Sequence, residues 1–132
     1  MRTRLTYVLL ATLAVAAVVL AGCRSSDVVK IGVDDEGSIV KMRQDQTLDV
    51  SLPANPSTGY NWTVADDGGV LTLVGEPDFQ LDSNAIGAPG ILTMHLEPSG
   101  TGEGSLRLEY RRSWETTQPA QDAFTVGVVV TE

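Results

Sequence analysis

The chain of 132 residues holds one cysteine and one histidine, and this scarcity removes most routes to catalysis. A lone cysteine excludes internal disulfides, and Cys23 follows an apolar leader, where a lipid rather than a nucleophilic role is expected. His95 lies on a predicted strand, on the face opposite to Met94 and Leu96, which favours a half-exposed position over acid–base work. No group of residues has the spacing of a zinc or iron site. We therefore expect no enzyme, no cofactor and no metal.

Basic residues are also few, because nine Lys and Arg stand against seventeen Asp and Glu. Two of the nine, Arg2 and Arg4, fall in the leader, so seven basic residues face seventeen acidic ones in the remainder, a net charge of −10. Such a domain repels nucleic acid and anionic membrane surfaces. The acidic run at 34–36 is expected to be a solvated turn rather than a calcium site. The glycines at 100–104 join two strands, whereas a phosphate-binding loop leads into a helix.

The third absence is a helical period, which no stretch after the leader keeps over three turns. Apolar and polar residues alternate instead, as in Leu48, Val50 and Leu52, the pattern of a half-buried strand. Strands are predicted at 28–33, 38–42, 48–52, 60–64, 70–74, 91–97, 106–110 and 124–130, with an irregular stretch over 75–90. Short strands at this spacing predict an all-β domain over 28–132, an immunoglobulin-like β-sandwich of seven or eight strands.

The N-terminal segment has the features of an export signal. The apolar run from Tyr7 to Ala21 would be roughly 22 Å long as a helix, against the ~30 Å of hydrocarbon that a spanning helix crosses. It ends in Leu20-Ala21-Gly22-Cys23, which resembles the bacterial lipobox. We expect a lipoprotein signal peptide at 1–22, a lipidated N-terminus and tether at 23–27, and a domain anchored outside the cytoplasm through lipid on Cys23.

The stretch Asn55-Pro56-Ser57-Thr58-Gly59-Tyr60 predicts a stiff tip between two strands. Pro56 fixes its own φ and holds Asn55 extended. The Asn55 side chain is expected to bond to the backbone ahead of it. Gly59 permits a positive φ before the next strand begins. A stiff tip loses little entropy on binding, but taken alone this pattern between two strands is mostly just a turn.

This stretch, followed by Trp62, resembles the signature of the chagasin family of cysteine-peptidase inhibitors. Two further segments are similar to the other loops of that family: Ile86-Gly87-Ala88-Pro89-Gly90 to its Gly-x-Gly-Gly loop, and Tyr110-Arg111-Arg112-Ser113-Trp114 to its Tyr-x-Arg-Pro-Trp segment. The resemblance extends from about Gly37 to Val130. Two positions depart from the pattern, because Pro89 replaces a glycine and Ser113 replaces a proline. Pro89 would stiffen its loop and Ser113 would loosen the third.

The resemblance implies reversible, non-covalent inhibition of a papain-like cysteine peptidase, with three loops in the active-site cleft. Thr58 would lie near the catalytic cysteine of the peptidase. The middle loop would pass along the non-primed side, and Trp114, placed with help from Arg112, would pack on the primed side. The implied contact residues are Asn55, Pro56, Ser57, Thr58, Gly59, Tyr60, Gly87, Ala88, Pro89, Gly90, Arg112, Ser113 and Trp114. We expect a monomeric inhibitor.

The aromatic residues also admit a purely structural interpretation. Trp62 shares a strand face with Tyr60 and Val64 and is assigned to the core. Trp114 lies in a polar loop outside any strand pattern, which favours a binding role. Three other functions stay open at this point: a non-inhibitory envelope lipoprotein with an immunoglobulin-like binding domain, a hydrolase that uses His95, and a structural lipoprotein that depends on Cys23.

Overall fold

A computed structural model describes residues 27–132, so the predicted signal peptide, Cys23 and most of the tether lie outside the described residues. The described part contains nine strands and two short 3₁₀ turns, at Val33–Asp35 and Pro56–Thr58. The strands are β1 (Val28–Gly32), β2 (Ile39–Arg43), β3 (Thr47–Ala54), β4 (Tyr60–Asp66), β5 (Leu71–Leu73), β6 (Asp78–Leu81), β7 (Gly90–Pro98), β8 (Gly102–Arg112) and β9 (Asp122–Thr131). Over the same range, no helix is long and apolar enough to cross a membrane.

The strands form the two sheets of the predicted β-sandwich. One sheet has the order β1-β3-β7-β5, and β6 pairs with the same strand β7 beside β5. The other has the order β2-β9-β8-β4. Most neighbours are antiparallel, but β1 runs parallel to β3 and β2 runs parallel to β9. The prediction of an all-β sandwich is confirmed.

The core lies between the sheets and follows the alternation in the sequence. On β3 the side chains of Leu48, Val50 and Leu52 are at most 1 % exposed, while their neighbours Asp49 and Ser51 lie on the outer face. Strands β7, β8 and β9 contribute inward rows in the same way. Each fully buried aliphatic side chain stabilises the fold by about 1.5–3 kcal/mol relative to an exposed one. Trp62 belongs to this core, as predicted.

Strand β6 is the element that the sequence did not predict, because it lies in the stretch expected to be irregular. Its four residues pair with β7, from Asp78 opposite Thr93 to Leu81 opposite Gly90. Its residues Asp78-Phe79-Gln80-Leu81 alternate, but the strand offers only two apolar positions, of which Phe79 packs against the core and Leu81 is 56 % exposed. Pairing with β7, which comes later in the sequence, stabilises β6, and a local sequence pattern does not show such pairing.

Strand register brings three connections to one end of the sandwich. Gly90 at the start of β7 lies opposite both Ala54 at the end of β3 and Leu81 at the end of β6. Tyr60 at the start of β4 lies opposite Arg112 at the end of β8. The start of β9 lies opposite Tyr110. We call these connections the first loop (residues 55–59), the middle loop (residues 82–89) and the third loop (residues 113–121).

Candidate functional site

The first loop is a single 3₁₀ turn whose backbone is closed by its own hydrogen bonds. The Thr58 backbone N–H and the Thr58 hydroxyl both donate to the Asn55 carbonyl, at 3.1 and 2.6 Å, and Gly59 N–H donates to the Pro56 carbonyl at 3.0 Å. Pro56 occupies the first position of the turn, where its fixed φ fits. Gly59 has a φ of 80°, which an L side chain adopts only with strain. The stiff tip predicted from the sequence is present, and Pro56, Ser57 and Thr58 are exposed on it.

Asn55 connects this turn to two other parts of the molecule. Its backbone N–H donates to the Tyr110 hydroxyl at 2.9 Å, and its side-chain Nδ2 donates to the Gly87 carbonyl at 3.2 Å. Its Oδ1 accepts from the Ser57 hydroxyl at 2.5 Å. The expected bond from this side chain to the backbone ahead is therefore corrected. The Asn55 carbonyl already accepts from the Thr58 N–H, so the side chain is left to join the first loop to the middle loop.

The middle loop presents fewer residues than the sequence suggested. Gly87 has a φ of 73° and is exposed together with Pro89, whereas Ala88 and Gly90 are buried. A Cβ at position 90 would collide with the Gln80 carbonyl, because β6 and β7 approach closely there. Both Ala88 and Gly90 are thus largely covered by the protein itself, and their expected contact with a peptidase stays a prediction. The loop also exposes Ile86, whose side chain is fully accessible.

The third loop places an exposed tryptophan directly beside the first loop. Trp114 is 67 % exposed, and a Cβ at Gly59 would lie 2.6 Å from its ring atom Cη2. The ring thus occupies the space that the missing side chain of Gly59 leaves free. The predicted exposure of Trp114 is confirmed, and Ser113 is exposed next to it.

Arg112 joins the first and third loops. Its Nε donates to the Thr58 carbonyl at 3.1 Å, and its Nη1 lies 3.2 Å from Glu115 Oε1. The guanidinium carbon lies 4.5 Å from the ring centroid of Tyr60 and 5.9 Å from that of Trp114, within the range of cation–π attraction. One side chain therefore contacts the first loop, the strand after it and the third loop.

Beneath the loops, three aromatic rings from adjacent strands form a platform. The ring centroids of Tyr60 and Tyr110 are 5.4 Å apart, and those of Trp62 and Tyr110 are 5.1 Å apart. The Trp62 indole N–H donates to the Pro53 carbonyl at 2.9 Å, at the end of β3. Together these contacts fix where β3 ends and β4 begins, and so fix the base of the first loop.

The structure thus brings the predicted contact residues together, apart from the two that it buries, and adds Tyr110, Glu115 and Ile86. Glu115 could have been noticed because it follows Arg112 by three residues, the spacing of a turn closed by opposite charges. Ile86 directly precedes the predicted contact residues of the middle loop, so extending that set by one residue would have included it. The position of Tyr110 beneath Asn55 depends on tertiary register, which the sequence does not display.

His95 lies away from the loop cluster, on the outer face of the sheet that contains β3 and β7. Its Nδ1 is 2.7 Å from Asp49 Oδ1, and its Nε2 is 3.1 Å from Asp78 Oδ2. The hydrogen bond to Asp49 and then the one to Asp78 raise the pKa of His95 above its ordinary value. The side chain is 34 % exposed, so the half-exposed strand position predicted from the sequence is confirmed. Within residues 27–132, no group of His, Cys, Asp and Glu is arranged to hold a metal ion.

Residues 41–128 match the profile of the family described as Chagasin family peptidase inhibitor I42. The chain belongs to the chagasin family. Members of this family are peptidase inhibitors, so the expectation of an inhibitor rather than an enzyme is confirmed.

Individual relatives agree with this assignment. Chagasin from Trypanosoma cruzi is 26 % identical over 104 residues, which cover 74 % of this chain and 93 % of chagasin. Amoebiasin-2 from Entamoeba histolytica is 30 % identical over 88 residues, which cover 63 % of this chain and 69 % of amoebiasin-2. Among solved structures, the cysteine protease inhibitor EhICP2 from Entamoeba histolytica superimposes with a TM-score of 0.69 at 21 % identity, over 81 % of this chain and 98 % of that one. The last likeness establishes the shared fold.

Proposed function

We propose that this chagasin-family chain inhibits papain-like cysteine peptidases by inserting its loop cluster into the active-site cleft. The first loop enters deepest, with Thr58 over the catalytic cysteine of the peptidase. The middle loop flanks it on one side and Trp114 flanks it on the other. The observation that carries this proposal is the joining of the three loops at one end of the sandwich, through Asn55 and Arg112.

The cluster suits this task because it is organised before binding. Each loop is bonded to another loop or to the aromatic platform, so few backbone torsions need to be ordered when the partner arrives. Exposed Trp114 and Ile86 offer apolar anchors on either side of the first loop. Buried Trp and Arg residues dominate most protein interfaces, and truncating one often costs about 2 kcal/mol or more. Three loops can cover the roughly 800 Å² per partner that a stable complex requires.

The inhibition is reversible and competitive. The hydroxyl of Thr58 donates within its own loop, and the loop contains neither a cysteine nor a histidine that could attack the peptidase. The complex therefore depends on contacts alone, and its dissociation restores an active peptidase.

The direct test is inhibition of papain and of a cathepsin L-type enzyme by the purified chain carrying Cys23→Ser. We expect competitive inhibition that both Thr58→Arg and Trp114→Ala weaken strongly. Ile39→Ala is the matched control, because Ile39 is 68 % exposed, like Trp114, but lies on edge strand β2. Inhibition that survives both loop substitutions, or that is lost equally in the control, would contradict the proposed site. A folded chain that inhibits neither enzyme would contradict the proposed function.

We also propose that the chain is exported and anchored to the cell membrane through lipid on Cys23, with the inhibitor domain outside the cytoplasm. The lipobox-like sequence before Cys23 and the absence of any other cysteine support this. Fatty-acid labelling in cells should mark the wild-type chain and not Cys23→Ser, and the variant should leave the membrane fraction. Unlabelled wild-type chain would contradict the anchor. Light scattering of the lipid-free domain should give the mass of a monomer, and a dimer would contradict that expectation.

A further inference from the structure

A backbone hydrogen bond closes the turn that carries Trp114. Glu115 N–H donates to the Arg112 carbonyl at 3.1 Å, so the four residues from Arg112 to Glu115 form a β-turn. Ser113 occupies the second position of that turn, where proline is favoured because its φ is already set. This turn therefore lacks a proline that would stiffen it directly beside the exposed tryptophan.

A side-chain contact spans the same turn. Glu115 Oε1 lies 3.2 Å from Arg112 Nη1, and the two side chains are 32 % and 33 % exposed. The guanidinium that Glu115 holds is the one that donates to the Thr58 carbonyl and lies against Tyr60 and Trp114. Glu115 thus closes the turn twice, through its backbone N–H and through its carboxylate, and it fixes the orientation of Arg112.

We propose that Glu115 is a positioning residue that stiffens this turn, as a proline at position 113 would, and holds Trp114 in its binding position. The proposal rests on the proposed inhibition of a peptidase, and it assigns to Glu115 an action through Arg112 rather than a contact with the partner. A half-exposed ion pair and a proline at a compatible turn position stabilise by similar amounts, each equivalent to about a two- to fivefold change in an equilibrium constant. Either device can therefore replace the other.

The test is a double-mutant cycle between positions 113 and 115. Ser113→Pro should be compatible with the fold, because Arg112 before it is an extended strand residue and the Ser113 N–H has no hydrogen-bond partner within residues 27–132. We expect Glu115→Ala to weaken inhibition of papain by up to about fivefold. In the Ser113→Pro background the same substitution should weaken inhibition by less than about twofold. Glu115→Gln, which removes only the charge, should likewise weaken inhibition more in the wild-type background than in the Ser113→Pro background.

A second measurement reports the loop without any peptidase. The chain has two tryptophans, so its NMR spectrum contains two side-chain indole N–H signals. In Glu115→Ala we expect the Trp114 signal to broaden or move toward its unfolded position, and Ser113→Pro to restore it. The buried Trp62 signal should stay unchanged and serves as the internal control.

The outcomes separate this proposal from the proposed function. An equal loss of inhibition in both backgrounds would mean that Glu115 contacts the peptidase directly and would overturn the positioning role. An unchanged Trp114 signal in Glu115→Ala would overturn it as well. If the wild-type chain inhibits no peptidase, the proposed function fails, and the indole signals alone still decide whether Glu115 positions Trp114.

Discussion

Replacing Gly59 by alanine should displace Trp114 and weaken inhibition, in addition to destabilising the fold. Two effects act at this position. The backbone has a φ of 80°, which costs an alanine about 1–2 kcal/mol. The new Cβ would also lie 2.6 Å from Trp114 Cη2, so the ring must leave its place over the first loop. Loss of a tryptophan anchor is typically worth about 2 kcal/mol, or about 30-fold in affinity.

Gly69→Ala separates these two effects. Gly69 has a φ of 70° and lies between β4 and β5, and a Cβ there would meet nothing within 4 Å. Both variants should therefore lose a similar free energy of unfolding from the backbone, lowering the Tm by a few degrees. Only Gly59→Ala should lose inhibition, by roughly 30-fold in titrations against papain. If both variants inhibit like the wild type, the place of Trp114 over Gly59 has no role in binding, and the reasoning is refuted.

Two further predictions concern the support of the loops and the outer sheet face. Tyr110→Phe leaves the Asn55 N–H without its acceptor, so it should destabilise the fold by about 1 kcal/mol in urea unfolding. The same variant should also weaken inhibition. If both the stability and the inhibition stay unchanged, this hydrogen bond is dispensable. Because Asp49 and Asp78 raise the pKa of His95, its protonated form stabilises the folded state. That contribution should be complete below about pH 6.5 and disappear as the pH rises through the folded-state pKa. The difference in urea midpoint between wild type and His95→Gln should therefore shrink as the pH increases, and a difference that grows would contradict the assignment.

The sequence predicts the sandwich well because its signal is repeated within single strands. Leu48, Val50 and Leu52 alternate, and so do the inward residues of β9, which makes the buried face readable without any partner strand. Strand β6 was not predicted because only Phe79 packs inward and the rest of the strand's stability comes from pairing with β7. A pattern of period two predicts a strand that buries one face, not a short strand held by its neighbour.

The sequence allowed the residues of the candidate site to be predicted, but not the contacts between its loops. Pro56 and Gly59 act locally, so the shape of the first loop followed from elementary backbone preferences. The burial of Gly90 depends on how β6 and β7 approach each other, and no local property of the sequence reveals it. The bond from Asn55 to Gly87 likewise requires the register of two strands.

The cross-links between the loops have a consequence for how the chain acquires activity. The bonds of the loop cluster join residues that are 32, 54 and 55 positions apart in the sequence. Contacts of such long range form late and slowly in β-proteins, since the entropy of closing large loops must be overcome first. The inhibitory end should therefore assemble only after both sheets have found their register. A partly folded chain would have no partial activity, so the recovery of inhibition during refolding would report when the whole sandwich is complete.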